Sequence, residues 1–372
     1  MLLHFTTVHP RTDTRIRVKQ VASLARAFEH PVVFYVQDGK GDERDEVNGI
    51  EVVDTGVPPG GRLVRMTKGA WRMYRAVRRA RPCVAHFHDP ELIPVGLLLK
   101  LSGIKVIYDV HEDLPRQILG KHWIRPWLRR PVALLVEGFE WAGARWFDGV
   151  VTATPTITAR FPAKKTVTVH NFPILSELVP PEPKPFAEVP PHVAYVGNIT
   201  AARGAIEMVK ALERVTDDQA RLQLGGTFTP SGLEDEVKAL PGWSRVVPHG
   251  WVERSSVANL LGNVRSGLVV LHPTRNHPDA LPVKMFEYMA AGLPVIASDF
   301  PLWRQIIDRA GCGQLVDPLD PQAIAEAIDW ILAHPNEAES MGRCGREAVE
   351  STYNWESESE TLIGFYQQLL DN

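Results

Sequence analysis

Between His272 and Asp299 the chain reads HPTRNHPDALPVKMFEYMAAGLPVIASD, and several of its side chains could do chemistry together. Lys284 brings a full positive charge. Glu287 follows it by one helical turn, and Asp279 precedes Glu287 by eight residues. A carboxylate accepts two hydroxyl hydrogen bonds at once. Two carboxylates on either side of a cation therefore suit a ligand with phosphate in the middle, a ribose at one end and a sugar ring at the other.

The elements that must hold these groups are legible around them. The apolar runs 267–271 and 293–297 have the length of buried parallel strands. Pro282 fits the first turn of a helix between them, and Gly292 the position just past its end. The loop 274–280 then leads from the carboxyl end of a strand to a helix N-terminus, with Leu281 and Val283 at the helix start. Free N–H groups and partial positive charge at such a terminus favour an anion such as a diphosphate.

The same alternation of strand and helix fills the rest of the 372 residues, enough for two α/β domains with separate cores. A proline-dense stretch, PPEPKPFAEVPP at 180–191, cannot lie inside a helix or sheet. The expected division is a first domain at 1–175, a linker at 176–191, a second domain at 192–353 and a terminal helix at 354–372. Strands are expected at 2–8, 31–36, 50–54, 83–87 and 104–110, with a helix over 16–28. Two of the strands end in HFHDPE and YDVHEDLP, on one edge of the sheet. His86, His88, Asp89, His111 and Glu112 gather there as metal-ligand types, but in this setting they suit a sugar site better than a metal. Asp13 and Arg15 are the polar candidates in the first strand-to-helix loop. No G-x-G-x-x-G follows any strand, which disfavours a dinucleotide oxidoreductase.

Charge is divided unevenly. Residues 1–170 carry 26 Lys+Arg against 17 Asp+Glu, and the remainder 15 against 27, so the first half is suited to an anionic partner. Residues 62–81, RLVRMTKGAWRMYRAVRRAR, hold eight basic residues and no acid. Met66, Ala70, Met73, Val77 and Ala80 form an apolar stripe, and Arg65, Lys68, Arg72, Arg75 and Arg79 a basic one beside it. KHWIRPWLRR at 121–130 interleaves Trp123 and Trp127 with further basic residues, a pairing suited to an anionic membrane surface. No nucleic-acid-binding motif accompanies the charge, so nucleic acid is not an expected partner. The three cysteines, Cys83, Cys312 and Cys344, show no C-x-x-C spacing and read as reduced thiols. The opening MLLHFTTVHP has no signal-length apolar core and no run reaches membrane-spanning length, so the expected location is the cytoplasm, peripheral on the inner face of the cell membrane.

The acidic-x7-acidic spacing of Asp279 and Glu287, with AAGLPVIAS behind it, resembles the signature of retaining GT-B glycosyltransferases of family 4 type; HFHDPE and VIYDVHEDLP resemble the same family. The resemblance implies two Rossmann-like doubly wound domains facing a central cleft, with a C-terminal helix crossing back to the first. It implies a hexosyltransferase acting on a nucleotide-diphosphate sugar with retention of anomeric configuration, without metal or other cofactor. The acceptor would be a glycan or lipid-linked glycan, in cell-surface polysaccharide or glycoconjugate synthesis.

Residue by residue, the resemblance places His111 by the reacting carbon and Arg203-Gly204 where the family carries a Lys-Gly pair for the diphosphate. Asn198, after Gly197, stands where an Arg is usual, and Asp279 where Glu is usual. Catalytic candidates are thus His111, Arg203 and Asp279; donor-binding candidates are Gly197, Asn198, Arg203, Leu281, Val283, Lys284 and Glu287; acceptor-side candidates are Asp13, Arg15, His88, Asp89 and Glu112. The family's usual Gly-Gly loop is missing after the first strand. That departure keeps open a non-catalytic sugar-nucleotide-binding or partner subunit, and a GT-B sugar-nucleotide epimerase stands as a third reading.

Overall fold

A computed structural model describes residues 1–120, 124–179 and 184–371; Trp123 and part of the proline-dense stretch lie outside them. The chain forms two compact units, Met1–Asn171 with Glu356–Asn372, and Phe172–Trp355.

The first unit is built on eight strands: β1 (Leu2–Phe5), β2 (Val32–Val36), β3 (Glu43–Asp45), β4 (Ile50–Asp54), β5 (Val84–Phe87), β6 (Lys105–Val110), β7 (Gly149–Thr152) and β8 (Thr166–Thr168). Their order is β3-β4-β2-β1-β5-β6-β7-β8, parallel throughout except for β3, which pairs antiparallel with β4 at the edge. β3 lies in the polar stretch expected to be loop; an edge strand with charged side chains needs no apolar alternation, so hydropathy does not mark it. The expected helix over 16–28 is a π-helical stretch, Thr14–Val21, followed by Ala22–Ala27.

The second unit carries β9 (His192–Val196), β10 (Arg221–Gly225), β11 (Val246–Gly250), β12 (Ser266–Val269), β13 (Val295–Ser298) and β14 (Gly313–Val316), in the order β11-β10-β9-β12-β13-β14, all parallel. Strands such as VVFYV and VIAS are buried along almost their whole length, as sheets covered by helices on both faces require. Strand order reverses between β1 and β5 in the first unit and between β9 and β12 in the second. At each such point the loops diverge beyond the strand ends and leave a crevice for ligand.

The division falls at Asn171/Phe172, four residues before the expected end of the first domain. Phe172 and Leu178 bury in the second unit's core beside Phe286 and Leu261. Arg265 donates from Nε to the Val189 carbonyl at 2.8 Å, so the end of the proline-dense stretch is fastened to the second unit too. The last helix, Trp355–Asp371, belongs to the first unit through Leu362 and Tyr366, both fully buried. Glu358 accepts from the backbone N–H of His170 at 2.7 Å and pairs with its ring at 2.8 Å. One expectation for the basic segment is corrected: Met66 is exposed, and the buried stripe of the Ala70–Ala80 helix is Ala70, Met73, Tyr74 and Val77. Met66 sits in a π-turn, Arg65–Gly69, whose wider winding rotates it off that face.

Candidate functional site

Each unit presents a polar constellation at its switch point. In the second unit, β9 ends in Gly197-Asn198, and Gly197 has φ of 130°, a backbone that side chains rarely adopt. A Cβ there would stand 3.3 Å from the Lys284 Nζ, so the glycine leaves room for the ammonium. Lys284 lies in the first turn of the Val283–Ala290 helix. Tyr288, one turn on, sets that helix against the sheet: its hydroxyl accepts from the Val196 N–H at 3.0 Å, and its ring covers Gly267 where any Cβ would collide.

The Lys284 Nζ is buried without a hydrogen-bond partner among the described residues and rests 3.5 Å from the centroid of the Tyr195 ring. Desolvation, then repulsion from Arg203, pushes its pKa well below the ordinary lysine value, and Glu287 opposes them only partly. Arg203 donates to the Asn198 carbonyl at 3.2 Å, as does the Tyr195 hydroxyl at 2.8 Å. Two cations thus converge on one turn. The Asn198 side chain accepts from Thr229 at 3.1 Å, so its carbonyl organises the turn while its amide oxygen is engaged elsewhere. In the loop after β12, Asp279 is exposed, while Leu281, Val283 and Glu287 are half-buried at the helix start and first turns. The loop is pinned by the Trp303 indole, which donates to the Ala280 carbonyl at 2.7 Å.

In the first unit, a cavity of about 550 Å³ is lined by His9, Asp13, Arg15, His88, Asp89, Asp109, His111 and Glu112. The expected acceptor-side residues fall into two groups. Glu112 is exposed at the rim and His111 is largely buried, with 14% of its side chain accessible. The others hold the structure together. Asp13 caps the helical stretch after β1 by accepting from the Ile16 N–H at 2.9 Å, and it pairs with His9 at 3.2 Å. Burial would raise its pKa, but the His9 bond and then the backbone bond hold it at about 2. Arg15 is 5% exposed and engaged with Asp109 at 3.0 Å and the Val169 carbonyl at 2.9 Å, which fixes its place in the cavity wall. Asp89 accepts from the Thr6 hydroxyl at 2.8 Å and the Thr7 N–H at 2.6 Å, tying the end of β1 to that of β5.

His88 joins a network that sequence reasoning missed. β1 and β5 pair with His4 beside His86, and β5 and β6 pair with Phe87 beside Tyr108. Alternation therefore puts His4, His86, His88 and Asp109 on one buried face. The signal was present as single polar residues in apolar runs, in LLHF and VIYDV. Burial alone would raise the Asp109 pKa, but Arg15, then His111, hold it well below the ordinary carboxylate value. Desolvation, followed by His88, pushes His4 far below 6.5; desolvation with its histidine neighbours does the same to His86; and His88 stands at about 4, where Asp109 offsets part of its desolvation. Of the metal-ligand types singled out at the strand ends, His86 and His88 come together with Asp109, and His111 Nε2 stands 3.1 Å from both His88 Nδ1 and Asp109. That carboxylate already pairs with Arg15 and accepts from Gln20 at 2.6 Å, so the group is occupied as a hydrogen-bonded core.

Two parallel-sheet α/β units with polar sites at their switch points define the class of GT-B glycosyltransferases. Residues 14–172 match the family described as glycosyl transferase 4-like domain, and residues 181–348 match glycosyl transferases group 1. The chain belongs to this family of GT-B, family 4-type glycosyltransferases, and has glycosyltransferase activity. It is 24% identical over 311 residues to alpha-maltose-1-phosphate synthase of Mycolicibacterium smegmatis, covering 77% of this chain and 79% of that one. It is 25% identical over 186 residues to D-inositol 3-phosphate glycosyltransferase of Corynebacterium urealyticum, covering 48% of this chain and 43% of that one. Sucrose-phosphate synthase from Thermosynechococcus elongatus superposes with a TM-score of 0.79 at 20% identity, over 100% of this chain and 99% of that one. HepE of Anabaena, solved with UDP and glucose, does so with 0.74 at 12% identity over 99% of each chain. At these identities the structural likenesses speak to fold alone.

The buried histidines predict acid sensitivity. An unfolded histidine takes up a proton near pH 6.5, whereas His4, His86 and His88 resist it when folded, so the unfolded state binds more protons and stability falls as pH falls below about 6.5. Each contributes at most about 1.4 kcal/mol per pH unit; His9, whose pKa is raised, opposes them. Denaturant unfolding at pH 7.5, 6 and 5 is expected to show the midpoint dropping steadily, and a midpoint that stays flat to pH 5 contradicts the assignment.

Proposed function

We propose that this glycosyltransferase moves a hexose from a nucleotide-diphosphate sugar to a glycan or lipid-linked acceptor with retention of anomeric configuration, in the making of a cell-surface polysaccharide or glycoconjugate. The observation that carries the reading is Lys284: a buried ammonium without a hydrogen-bond partner among the described residues, with the Arg203 guanidinium near it, at the start of a helix. A diphosphate is the anion that two such cations and the N–H groups near Val283 would bind together. Glu287 would accept from ribose hydroxyls and Asp279 from the sugar, and His111 would stand by the reacting carbon. As the bond from the anomeric carbon to the diphosphate breaks and the bond to the acceptor oxygen forms, the departing phosphate oxygen takes the acceptor's proton. No metal is needed in this scheme. Charge grows on the leaving group, where Arg203 and Lys284 are worth most.

The test begins with calorimetric titration of UDP, GDP and ADP; UDP comes first because the Anabaena relative was solved with it. Binding a diphosphate raises the depressed pKa of Lys284, so at a pH above its free-state value complex formation takes up a proton. Affinity is then highest below the free-state pKa and declines as pH rises above it. The binding enthalpy should differ between buffers of different ionisation enthalpy, and Lys284→Met should abolish that difference and weaken binding roughly tenfold to 150-fold, as the loss of a charged hydrogen bond implies. A nucleotide bound as tightly by Lys284→Met as by the wild type would rule out the lysine's role.

Once a donor is known, Arg203→Ala should lower kcat by about 10²-fold or more with a smaller rise in the donor KM. Proton NMR of the product should give the donor's anomeric configuration; an inverted product would refute retention.

The reading includes an anionic lipid surface as the working place. The helix Ile93–Leu101 packs between Ala70–Ala80 and Pro126–Trp146, and this layer exposes Trp71, Leu101, Leu134, Leu135, Trp141 and Trp146. Beside them a groove of about 1070 Å³ is lined by Trp71, Arg75, Arg78, Arg79 and Arg81. Arg65, placed on the basic face by its spacing, instead pairs with Glu91 at 3.1 Å. Each remaining basic residue near such a surface contributes roughly 1 kcal/mol. The protein should pellet with anionic vesicles at low salt, release as salt rises, and stay in solution when Lys68, Arg72, Arg75, Arg78 and Arg79 are changed to Gln. Equal sedimentation with neutral vesicles would remove the membrane from the scheme.

A further inference from the structure

Behind His111 runs an unbroken chain of buried hydrogen bonds. His86 Nδ1 lies 2.7 Å from the Tyr366 hydroxyl, which lies 3.0 Å from His4 Nε2. His4 Nδ1 lies 3.0 Å from His88 Nε2, and His88 Nδ1 lies 3.2 Å from Asp109 Oδ2. His111 Nε2 stands 3.1 Å from the same oxygen and 3.1 Å from His88 Nδ1, so the two ring nitrogens lie side by side at one acceptor. His4, His86, Asp109 and Tyr366 are fully buried, and His88 is 2% exposed.

The sense of every bond follows from one charge. Asp109 is an ionised carboxylate held by Arg15 and Gln20, and it can only accept. His88 Nδ1 must therefore carry its ring proton, which leaves Nε2 bare to accept from His4 Nδ1–H. His4 Nε2 is bare in turn and accepts the Tyr366 O–H, whose oxygen accepts from His86 Nδ1–H. The end of the chain agrees: His86 Nε2, which this scheme leaves without a proton, is buried with no partner. The opposite sense would set two bare nitrogens, or a bare nitrogen and a carboxylate oxygen, about 3 Å apart. By the same logic a bare Nε2 on His111 would face the Asp109 lone pairs, so its proton belongs on Nε2.

We propose that Asp109 is a positioning residue: it sets a one-way relay of neutral groups from the terminal helix to the site and locks His111 as the Nε2–H tautomer, presenting a bare Nδ1 that accepts a hydrogen bond from a substrate hydroxyl. The proposal rests on the reading that His111 stands at the reacting sugar. Gln20 is the hinge of the test, because its Oε1 is buried without a partner. In Asp109→Asn the amide oxygen keeps Arg15, the amide nitrogen donates where Oδ2 accepted, and Gln20 can turn its oxygen to meet it. His88 Nδ1 then becomes an acceptor and His4 and His86 reverse with it, while His111 keeps its Nε2–H, which can donate to the bare His88 Nδ1.

Nitrogen-15 spectra of histidine-labelled wild-type protein at pH 7.5 should show His4, His86 and His88 protonated on Nδ1 and His111 on Nε2. This measurement needs no variant and overturns the relay if His88 or His111 carries its proton on the other nitrogen. In Asp109→Asn, His4, His86 and His88 should switch while His111 holds. With Tyr366→Phe added, His86 alone should cease to follow. A purely structural role for Asp109 would move none of these signals. His111→Ala separates the two ideas: an active variant removes His111 from the reacting sugar and leaves the relay standing, whereas wild-type tautomers in Asp109→Asn overturn the relay itself.

Discussion

A carboxylate cannot stay ionised inside a sheet-and-helix interface unless charge and hydrogen bonds surround it, and Asp109 imposes that demand on the first unit. Arg15 meets it from the helical stretch after β1, Gln20 from the next turn of the same stretch, and His88 and His111 from the ends of β5 and β6. The π-helical winding of Thr14–Val21 accompanies this arrangement; Arg15, Lys19 and Gln20 are all buried there, an unusual load for one short segment. Lys19 reaches Asn171 at 2.7 Å, so the same segment also holds the end of the unit. Thus the polar interior, which hydropathy would count as a fault, is what fixes the loops around the cavity.

The second unit solves a different problem with a different balance. Its site holds a lysine nitrogen that has no hydrogen-bond partner among the described residues and rests on the Tyr195 ring, and its desolvation is visible in the depressed pKa of Lys284. Such a site is strained in charge, not in backbone. It gains most from a ligand that brings negative charge to it, which is how binding free energy becomes available where the reaction concentrates charge.

The second unit's site helix was readable because its markers are local: Pro282 and Gly292 mark position through spacing, and the structure places Val283–Ala290, with Lys284 in its first turn, between them. Asp109 and His4 were not readable, since what makes them matter is strand register across residues about 80 to 100 apart, which no local pattern encodes. Arg15 shows the same limit from the other side. Its type and place suggested a ligand contact, but its partner is on β6. The antiparallel β3 escaped because an exposed, charged edge strand carries no alternation to see.

The return of the last helix to the first unit reverses the usual order of assembly. Domains fold largely as they are synthesised, N-terminal first. Here the first unit emerges early with His4 and His86 facing a gap that only Tyr366, made after the whole of the second unit, can fill. The first unit is therefore completed only after the second has been made, and its histidine cluster stays open until that helix follows.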